Sequence, residues 1–274
     1  MTMRAFSVFL VASVWFIPGF GGLGCTHLAR GPDGPALTHK NVEGRLRASA
    51  ARRNSVEGVI KARLPGLAGV VVNATLDFAA RAPGDLSVSV RSFFDMPQQV
   101  FTSGNGEAVL YDATTGAPRF FRGPATEQSL ARVLGVPLAP DDAAALLLGR
   151  PPVEQRAGWP PSRLKLLSVD PAAATYNVQI ERPGRGHLVV TARASDDALL
   201  SAALFRGDGR QLVSVRFDLL ADHDGVAFAH RIAIVVSDTA QELVLEMKDV
   251  RFNQPLSDEV FALLPPADAV VLPL

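Results

Sequence analysis

A single cysteine, Cys25, carries the clearest chemistry in this 274-residue sequence. The leader before it has one positive charge, Arg4, then an uncharged and mostly apolar run over residues 5–17, then Pro18 and Gly19. This order is typical of a secretory leader. About 13 residues span only about 20 Å as a helix, short of the roughly 30 Å hydrocarbon core, so we expect cleavage rather than a membrane span. A lone cysteine has no internal disulfide partner, and its position predicts lipidation of its thiol.

The run Leu23-Gly24-Cys25 resembles the bacterial lipobox, in which the cysteine receives a diacylglycerol and becomes an N-terminus acylated with chains such as palmitate. Gly22 departs from that pattern, which usually has leucine there. Two alternatives stay open: an ordinary secretory leader with a coincidental cysteine, and a buried structural thiol. Thr26 replaces the aspartate that retains enteric lipoproteins in the inner membrane, so the resemblance implies a lipid anchor on the periplasmic face of the outer membrane.

A second group that could do chemistry is the run Asp222-His223-Asp224 with His230, whose side chains suit a metal or an acid–base site. Residues 222–225 have the composition of a hairpin turn, and no further ligand has supporting spacing, so we predict a solvated turn with no metal and no cofactor. His230 is in phase with apolar Phe228 and is expected to point inward. Nucleophile-elbow, phosphate-loop and paired-cysteine motifs are missing, so we predict no catalytic residue and no enzymatic activity.

The elements that must position these groups are mainly strands. Apolar and polar residues alternate with a two-residue period through most of the chain, and turns rich in Gly, Pro and Asp separate the runs. Helices are predicted over residues 38–53, 126–135, 140–149 and 257–264. About a dozen strands in local order, with helices that do not alternate with them, predict an α+β fold: a strongly curved antiparallel sheet forming an incomplete β-barrel, with a few helices packed in or over its concave face.

Composition sets the domain organisation. The sequence is 48% hydrophobic and has 27 basic and 27 acidic side chains, so it offers no electrostatic case for binding nucleic acid. We predict a lipoprotein signal peptide over residues 1–24 and a lipidated N-terminus with a flexible linker, rich in Gly and Pro, over residues 25–37. Residues 38–274 are predicted to form one domain.

Several short segments of the sequence resemble those of a known family. They are Leu110-Tyr111-Asp112, Phe121-Arg122-Gly123, Leu134-Gly135-Val136-Pro137-Leu138, Leu147-Leu148-Gly149 and Arg251-Phe252-Asn253-Gln254-Pro255. With the order of the elements, they resemble the outer-membrane lipoprotein carrier and receptor superfamily (LolA/LolB type), most closely its uncharacterised lipoprotein relatives, from about residue 41 to the C-terminus. The resemblance implies an incomplete barrel whose apolar cavity holds the acyl chains of a lipoprotein in transit. Ser87 stands where several of those proteins have an arginine.

Apolar residues on the inner face of such a sheet would contact the ligand. The predicted ligand-binding residues are Leu76, Phe78, Val88, Val90, Phe228 and His230. The alternative is that side chains fill the concave face completely and form a solid core.

The segment between two predicted strands, residues 92–97, contains Phe93, Phe94 and Met96, which are unusual for a loop. In position it resembles the receptor loop that helps to pass lipoprotein into the membrane, so we predict contact with membrane or with a partner lipoprotein. The alternative is that the two phenylalanines close one end of the core.

These observations predict a non-catalytic lipoprotein of the outer membrane that binds acyl chains of lipoproteins or other amphipathic lipids, in lipoprotein localisation or envelope biogenesis. The alternative function is a scaffold lipoprotein with a solid-packed barrel that holds a neighbouring envelope protein. An apolar cavity of a few hundred Å³ would favour carriage, while a packed interior with an exposed apolar patch would favour scaffolding.

Overall fold

The computed structural model describes residues 37–65, 71–91, 96–114, 117–152, 163–266 and 269–274. The predicted signal peptide, the predicted lipidation residue Cys25, residues 26–36 of the predicted linker, and the two loop residues Phe93 and Phe94 lie outside the described residues.

Strands dominate the described part of the chain, as the two-residue alternation predicted. They are β1 (Ser55–Pro65), β2 (Val71–Arg81), β3 (Asp85–Arg91), β4 (Pro97–Gly104), β5 (Glu107–Asp112), β6 (Arg119–Pro124), β7 (Arg163–Asp170), β8 (Thr175–Arg182), β9 (Gly186–Arg193), β10 (Leu199–Phe205), β11 (Gln211–His223), β12 (Val226–Val236), β13 (Gln241–Phe252) and β14 (Val271–Pro273).

These strands form a single sheet with the order β14-β6-β5-β4-β3-β2-β1-β13-β12-β11-β10-β9-β8-β7. Within each of the two meanders, β1 to β6 and β7 to β13, strands that follow one another in the chain pair antiparallel, since short turns join them. The two meanders meet where β1 pairs antiparallel with β13, and β14 is added parallel to β6 at one edge. The edges at β14 and β7 do not pair with each other, so the sheet is an unclosed barrel and the predicted α+β fold is confirmed.

Cross-strand register places the large apolar side chains on one face. Leu76 lies opposite Ile60 of β1 and Val90 of β3, and Phe78 lies opposite Val88. Because side chains alternate between faces, these pairs bury one face, and Leu76, Phe78 and Val88 are at most 4% exposed. The core therefore lies on the face that carries the helices.

Three α-helices in the described residues cover this face: α1 (His39–Ala51), α2 (Glu127–Leu134) and α3 (Pro140–Leu147). Thr38 precedes α1, and its backbone N–H donates to Asn41 Oδ1 at 2.8 Å. Gly135 ends α2 with a φ of 71°, in the left-handed conformation that glycine favours. Within the described part of the chain no helix is long and apolar enough to cross a membrane.

The C-terminal region differs from prediction. The helix expected over residues 257–264 is a single 3-10 turn, Asp258–Phe261, and the short strand β14 was not predicted. Pro265 disfavours helical backbone angles at Leu264, which limits the helix from its C-terminal side. The turn is held by tertiary contacts, because Phe261 is buried and the Arg81 guanidinium lies 4.7 Å from the centre of its ring.

The turn between β2 and β3 packs against the start of α3 at Gly84. A Cβ at this position would lie 2.7 Å from Asp141 Cβ and 3.1 Å from Asp141 Cα. We expect Gly84→Ala to lower the free energy of unfolding by about 1–3 kcal/mol, because helix or turn must shift to relieve the overlap.

Urea unfolding of Gly84→Ala beside Gly207→Ala checks this expectation. Gly207 lies in another turn, has no heavy atom within 4 Å of the added Cβ and has no left-handed φ, so its replacement should be neutral or stabilise the protein by up to about 1 kcal/mol. Equal midpoints for the two variants would show that α3 does not pack tightly on this turn.

Candidate functional site

The helix pair, defined as α2 and α3, covers an interior that is apolar throughout. The lining residues come from β3, α2, the α2–α3 connection, α3, β12 and β13. They are Leu86, Val88, Leu130, Leu134, Val136, Leu138, Ala143, Leu146, Leu147, Ile232, Ile234, Leu243 and Leu245. The pairing of β12 with β13 brings the lining residues of the sheet together, since Ile232 lies opposite Leu245 and Ile234 lies opposite Leu243. Among the described residues, none of those that line this space offers a polar side chain to a ligand.

The free volume of this interior is small. The cavity measures about 40 Å³, whereas pockets that hold small molecules have about 300–1,000 Å³. Side chains of the helix pair therefore occupy the concave face in this conformation, and an acyl chain can enter only if the helices move.

The structure divides the predicted ligand-binding residues into three groups. Val88 lines the cavity under the helix pair. Leu76 and Phe78 are buried on the same sheet face, and Val90 is partly buried and packs against the core, but these three are not among the residues that line the cavity. Phe228 and His230 lie elsewhere, in an aromatic cluster with His223 and Phe252 beside the end of α1.

Four charged side chains fasten the start of α3 to the β8–β9 hairpin; we refer to Asp141, Asp142, Arg182 and Arg185 as the lid network. Asp142 Oδ2 accepts hydrogen bonds from Arg182 Nη1 at 2.5 Å and from Arg185 Nη2 at 2.8 Å. Arg185 Nη1 also donates to Asp141 Oδ2 at 2.7 Å. The side chains of Asp142 and Arg182 are only 5% and 8% exposed, so this ion pair is buried.

Burial raises the pKa of the Asp142 carboxyl, and the charges of Arg182 and Arg185 oppose that rise. From sequence alone, Asp141 and Asp142 are only the acidic first turn of the helix predicted over residues 140–149. The sequence does contain a sign that Arg182 is their partner, because Arg182 is in phase with Val178 and Ile180, which are buried residues of the same strand. An arginine in such a phase needs a buried acceptor.

A second buried polar group fixes α1 to the turn between β9 and β10. Asp197 Oδ1 accepts hydrogen bonds from Arg45 Nη2 and from the Tyr176 hydroxyl, both at 2.7 Å. Burial, together with the negative charge of Asp197, raises the pKa of the Tyr176 phenol far above its usual range. The phenol therefore stays protonated, as a donor to Asp197 must be.

This contact makes alkaline stability depend on Tyr176. A phenol with a raised pKa in the folded state stabilises the fold fully below the unfolded pKa of about 10, and that contribution is lost as pH rises above it. The chain has two tyrosines, so a Tyr111→Phe variant isolates Tyr176. We expect phenolate absorbance in this variant to appear only when circular dichroism shows unfolding. Ionisation in the folded protein near pH 10 would contradict the buried Tyr176–Asp197 hydrogen bond.

The predicted turn over residues 222–225 is confirmed. Asp224 and Gly225 join β11 to β12 with φ of 54° and 76°, and Asp222 Oδ1 accepts the Gly225 N–H at 3.0 Å. The structure brings the two histidines of this group together: the Nε2 atoms of His223 and His230 are 2.9 Å apart.

Two further predictions concern exposed or ligating groups. Met96 is 65% exposed, and its membrane or partner contact stays a prediction, as do those of Phe93 and Phe94. No group of three or more His, Cys, Asp or Glu side chains in the described ranges could hold a metal ion.

Known structures share this architecture. No protein-family model and no curated protein match the sequence. A LolA superfamily protein from Nitrosomonas europaea superposes with a TM-score of 0.59 at 14% identity, over 83% of this chain and 98% of that chain. A DUF1329 family protein from Desulfovibrio piger superposes with a TM-score of 0.57 at 14% identity, over 82% of this chain and 95% of that chain. An outer membrane lipoprotein-sorting protein domain from Vibrio parahaemolyticus superposes with a TM-score of 0.55 at 13% identity, over 82% of this chain and 97% of that chain. The chain has the LolA-type fold, as the resemblance implied.

Proposed function

We propose that this protein is an envelope lipoprotein that binds the acyl chains of a lipoprotein, or another amphipathic lipid, between the helix pair and the sheet. The observation that carries the proposal is the lining of that interior, in which all thirteen residues are apolar. A lipid chain has no polar group to satisfy, so such a surface suits it and excludes most other ligands. The fold shared with a lipoprotein-sorting domain supports the same ligand class.

Binding on this scheme requires the helix pair to open. Leu130 of α2 and Leu146 of α3 are buried against the sheet, and an acyl chain would replace their contacts with contacts of the same apolar kind. The exchange costs little hydrophobic free energy, because surface exposed by the helices is covered again by the ligand. The lid network opposes opening, since the start of α3 must leave Arg182 and Arg185.

Lipidation of Cys25 would anchor the protein to the periplasmic face of the outer membrane. The linker before residue 38 would let the folded domain lie at a distance from the membrane surface. Two or more acyl chains hold a protein stably in a bilayer, whereas one chain holds it only reversibly. Mass spectrometry of the purified N-terminal peptide tests this part of the proposal: a diacylglyceryl cysteine supports it, and a free thiol or an earlier cleavage site contradicts it.

Native mass spectrometry of the full chain, released gently from detergent, tests lipid binding. We expect adducts with the masses of acylated lipids. Ala143→Phe enlarges a side chain that lines the interior, and should remove the adducts at a stability cost of about 1–3 kcal/mol. Leu264→Phe is the control, because Leu264 is 82% exposed and does not line the interior. Asp142→Asn weakens the lid network and should raise the fraction with lipid bound.

The second candidate function is a scaffold that binds a neighbouring envelope protein. Two observations favour it: the interior has only about 40 Å³ of free space, and the C-terminal segment has exposed apolar side chains, with Leu264 82% and Val270 75% exposed. Native mass spectra that show only the ligand-free mass after incubation with lipids and an acylated peptide, both for the parent protein and for Asp142→Asn, would favour the scaffold function over lipid binding.

A further inference from the structure

Three arginines converge where the starts of α2 and α3 meet the sheet; we refer to Arg182, Arg185 and Arg206 as the rim arginines. The first two belong to the lid network and lie at the end of β8 and in the β8–β9 turn. Arg206 follows β10, and its Nη2 lies 4.0 Å from Oε2 of Glu127, the first residue of α2. The β8–β9 turn packs closely on Arg206, because a Cβ added to Gly186 would lie 2.6 Å from the Arg206 carbonyl carbon. The sheet therefore presents a basic rim to the acidic first turns of both helices.

Electrostatic attraction ties the rim arginines to the closed helix pair. Burial alone would lower the pKa of Arg185. Attraction to Asp142, Asp141 and Glu127 outweighs burial and raises that pKa above its usual value. The Arg185 guanidinium is thus held by carboxylates of both helices, and movement of either helix away from the sheet removes a counter-charge from it.

Arg182 has an unused donor even in the closed conformation. Its Nη1 donates to Asp142 Oδ2, but its Nε is buried and has no hydrogen-bond partner among the described residues. The side chain is only 8% exposed. A group that brings several oxygen atoms to this place would satisfy more of the guanidinium than one carboxylate oxygen does. Phosphate has the required oxygens and charge, and arginine binds phosphate through two parallel hydrogen bonds.

The rim arginines lie next to the lining of the interior. Ala143, which lines the interior, directly follows Asp142 in the chain. On the sheet, Leu86 lines the interior, and Gly84, two residues earlier, packs against the start of α3 at Asp141. An acyl chain that lies against Leu86 and Ala143 and ends toward the start of α3 places its headgroup among the rim arginines.

Opening of the helix pair takes the carboxylates of Asp141, Asp142 and Glu127 away from the rim arginines. A buried arginine without its counter-charge is costly, because the charge is neither solvated nor neutralised. A lipid without an anionic group leaves that cost in place, whereas a lipid with a phosphate next to its acyl chains neutralises the arginines again. The diacylglyceryl group of a lipoprotein has no phosphate beside its chains. Opening therefore favours an anionic phospholipid over the lipid group of a lipoprotein.

We infer that the ligand under the open helix pair is an anionic phospholipid, whose phosphate replaces the carboxylates of Asp141 and Asp142 at the rim arginines. The inference rests on the proposed function, since it concerns the headgroup of the lipid that the interior binds. The apolar interior binds the acyl chains, and the rim arginines select the headgroup.

Competition between two lipids with the same acyl chains tests the inference. The full chain is incubated in nonionic detergent with equal amounts of dioleoylphosphatidylglycerol and dioleoylglycerol, of which only the first carries a phosphate. Native mass spectrometry then measures both adducts. We expect phosphatidylglycerol to be bound in preference by about tenfold or more, because each hydrogen bond to a charged group contributes at least about tenfold in affinity.

Variants show whether the rim arginines cause this preference. Arg185→Gln should reduce the ratio of the two adducts by about tenfold, whereas Arg185→Lys keeps the charge and should keep most of the preference. Asp142→Asn weakens the competing acceptor and should increase the preference. Arg216→Gln is the matched control for net charge, because Arg216 is 59% exposed and pairs with Asp218 within β11. A ratio is compared between variants, so a helix pair that merely opens more easily raises both adducts alike and leaves the ratio unchanged.

Equal binding of the two lipids, or an unchanged ratio in Arg185→Gln that circular dichroism shows to be folded, would overturn the inference and leave lipid binding in place. Binding of neither lipid, by the parent protein or by Asp142→Asn, would overturn lipid binding and the inference together. Inorganic phosphate added in excess separates a headgroup from a free ion. If it raises dioleoylglycerol binding to the level of phosphatidylglycerol, a free anion occupies the rim and the inference is wrong.

Discussion

Asp142→Ala should lower the free energy of unfolding by about 3–5 kcal/mol. The substitution removes the carboxylate that accepts from Arg182 at 2.5 Å and from Arg185 at 2.8 Å, and it leaves the Arg182 side chain, which is only 8% exposed, buried without that partner. Breaking one side of a buried ion pair is costly because the remaining charge is neither solvated nor neutralised. Urea unfolding, followed by circular dichroism, measures the change.

A double-mutant cycle separates the lost pair from a general disturbance of α3. Arg182→Met removes the stranded charge and keeps an apolar side chain of similar length, so Asp142→Ala with Arg182→Met should recover much of the lost stability. Asp238→Ala is the surface control, because Asp238 and Arg210 are 47% and 58% exposed, and its cost should stay below about 1 kcal/mol. A double variant as unstable as the sum of the single variants would show that the lid network is not coupled.

Asp197→Gly should have the second largest effect, a loss of about 3 kcal/mol. It removes the acceptor of the Arg45 and Tyr176 hydrogen bonds, and hydrogen bonds to charged groups contribute about 1.5–3 kcal/mol each. We reduce the total because Arg45 is 22% exposed and regains contact with water. Glycine is chosen because Asp197 has a φ of 60°, where alanine would add backbone strain.

Asp197→Asn is the matched comparison. Asparagine tolerates the same left-handed backbone and still accepts from the Tyr176 hydroxyl, so we expect a loss of about 1–2 kcal/mol from the missing charge alone. In a Tyr176→Phe background, the cost of Asp197→Gly should fall, because the hydrogen bond from the Tyr176 hydroxyl is already missing. Unfolding midpoints of Asp197→Gly and Asp197→Asn that both equal the midpoint of the parent protein would contradict a role for this carboxylate in holding α1 to the sheet.

The two networks fix different helices and so bear differently on function. Asp197 holds α1 against the β9–β10 turn, away from the helix pair, and its loss should destabilise the protein without favouring lipid binding. Asp142 holds α3, and its weakening should lower stability while it raises lipid occupancy. A variant that lowers stability and raises lipid occupancy therefore identifies a contact that keeps the helix pair closed, whereas a variant that only lowers stability identifies a purely structural contact.

The sequence by itself determined the local structure of most of the chain. The side-chain period in a strand is set by backbone geometry alone, so the alternation along β2, β8 and β12 can be read directly from the sequence. Thr38 before α1, Gly135 after α2 and Pro140 at the start of α3 act within one helical turn, so their effects could also be predicted.

Only the tertiary structure decided which distant groups meet. The pairing of β1 with β13 depends on how two meanders curve toward each other, and β14 is too short to show a period. Asp142 meets Arg182, and His223 meets His230, because the bend of the strands and the docking of the helices set where these side chains lie. The free space under the helix pair likewise follows from how closely side chains of different elements interdigitate, which no local pattern records.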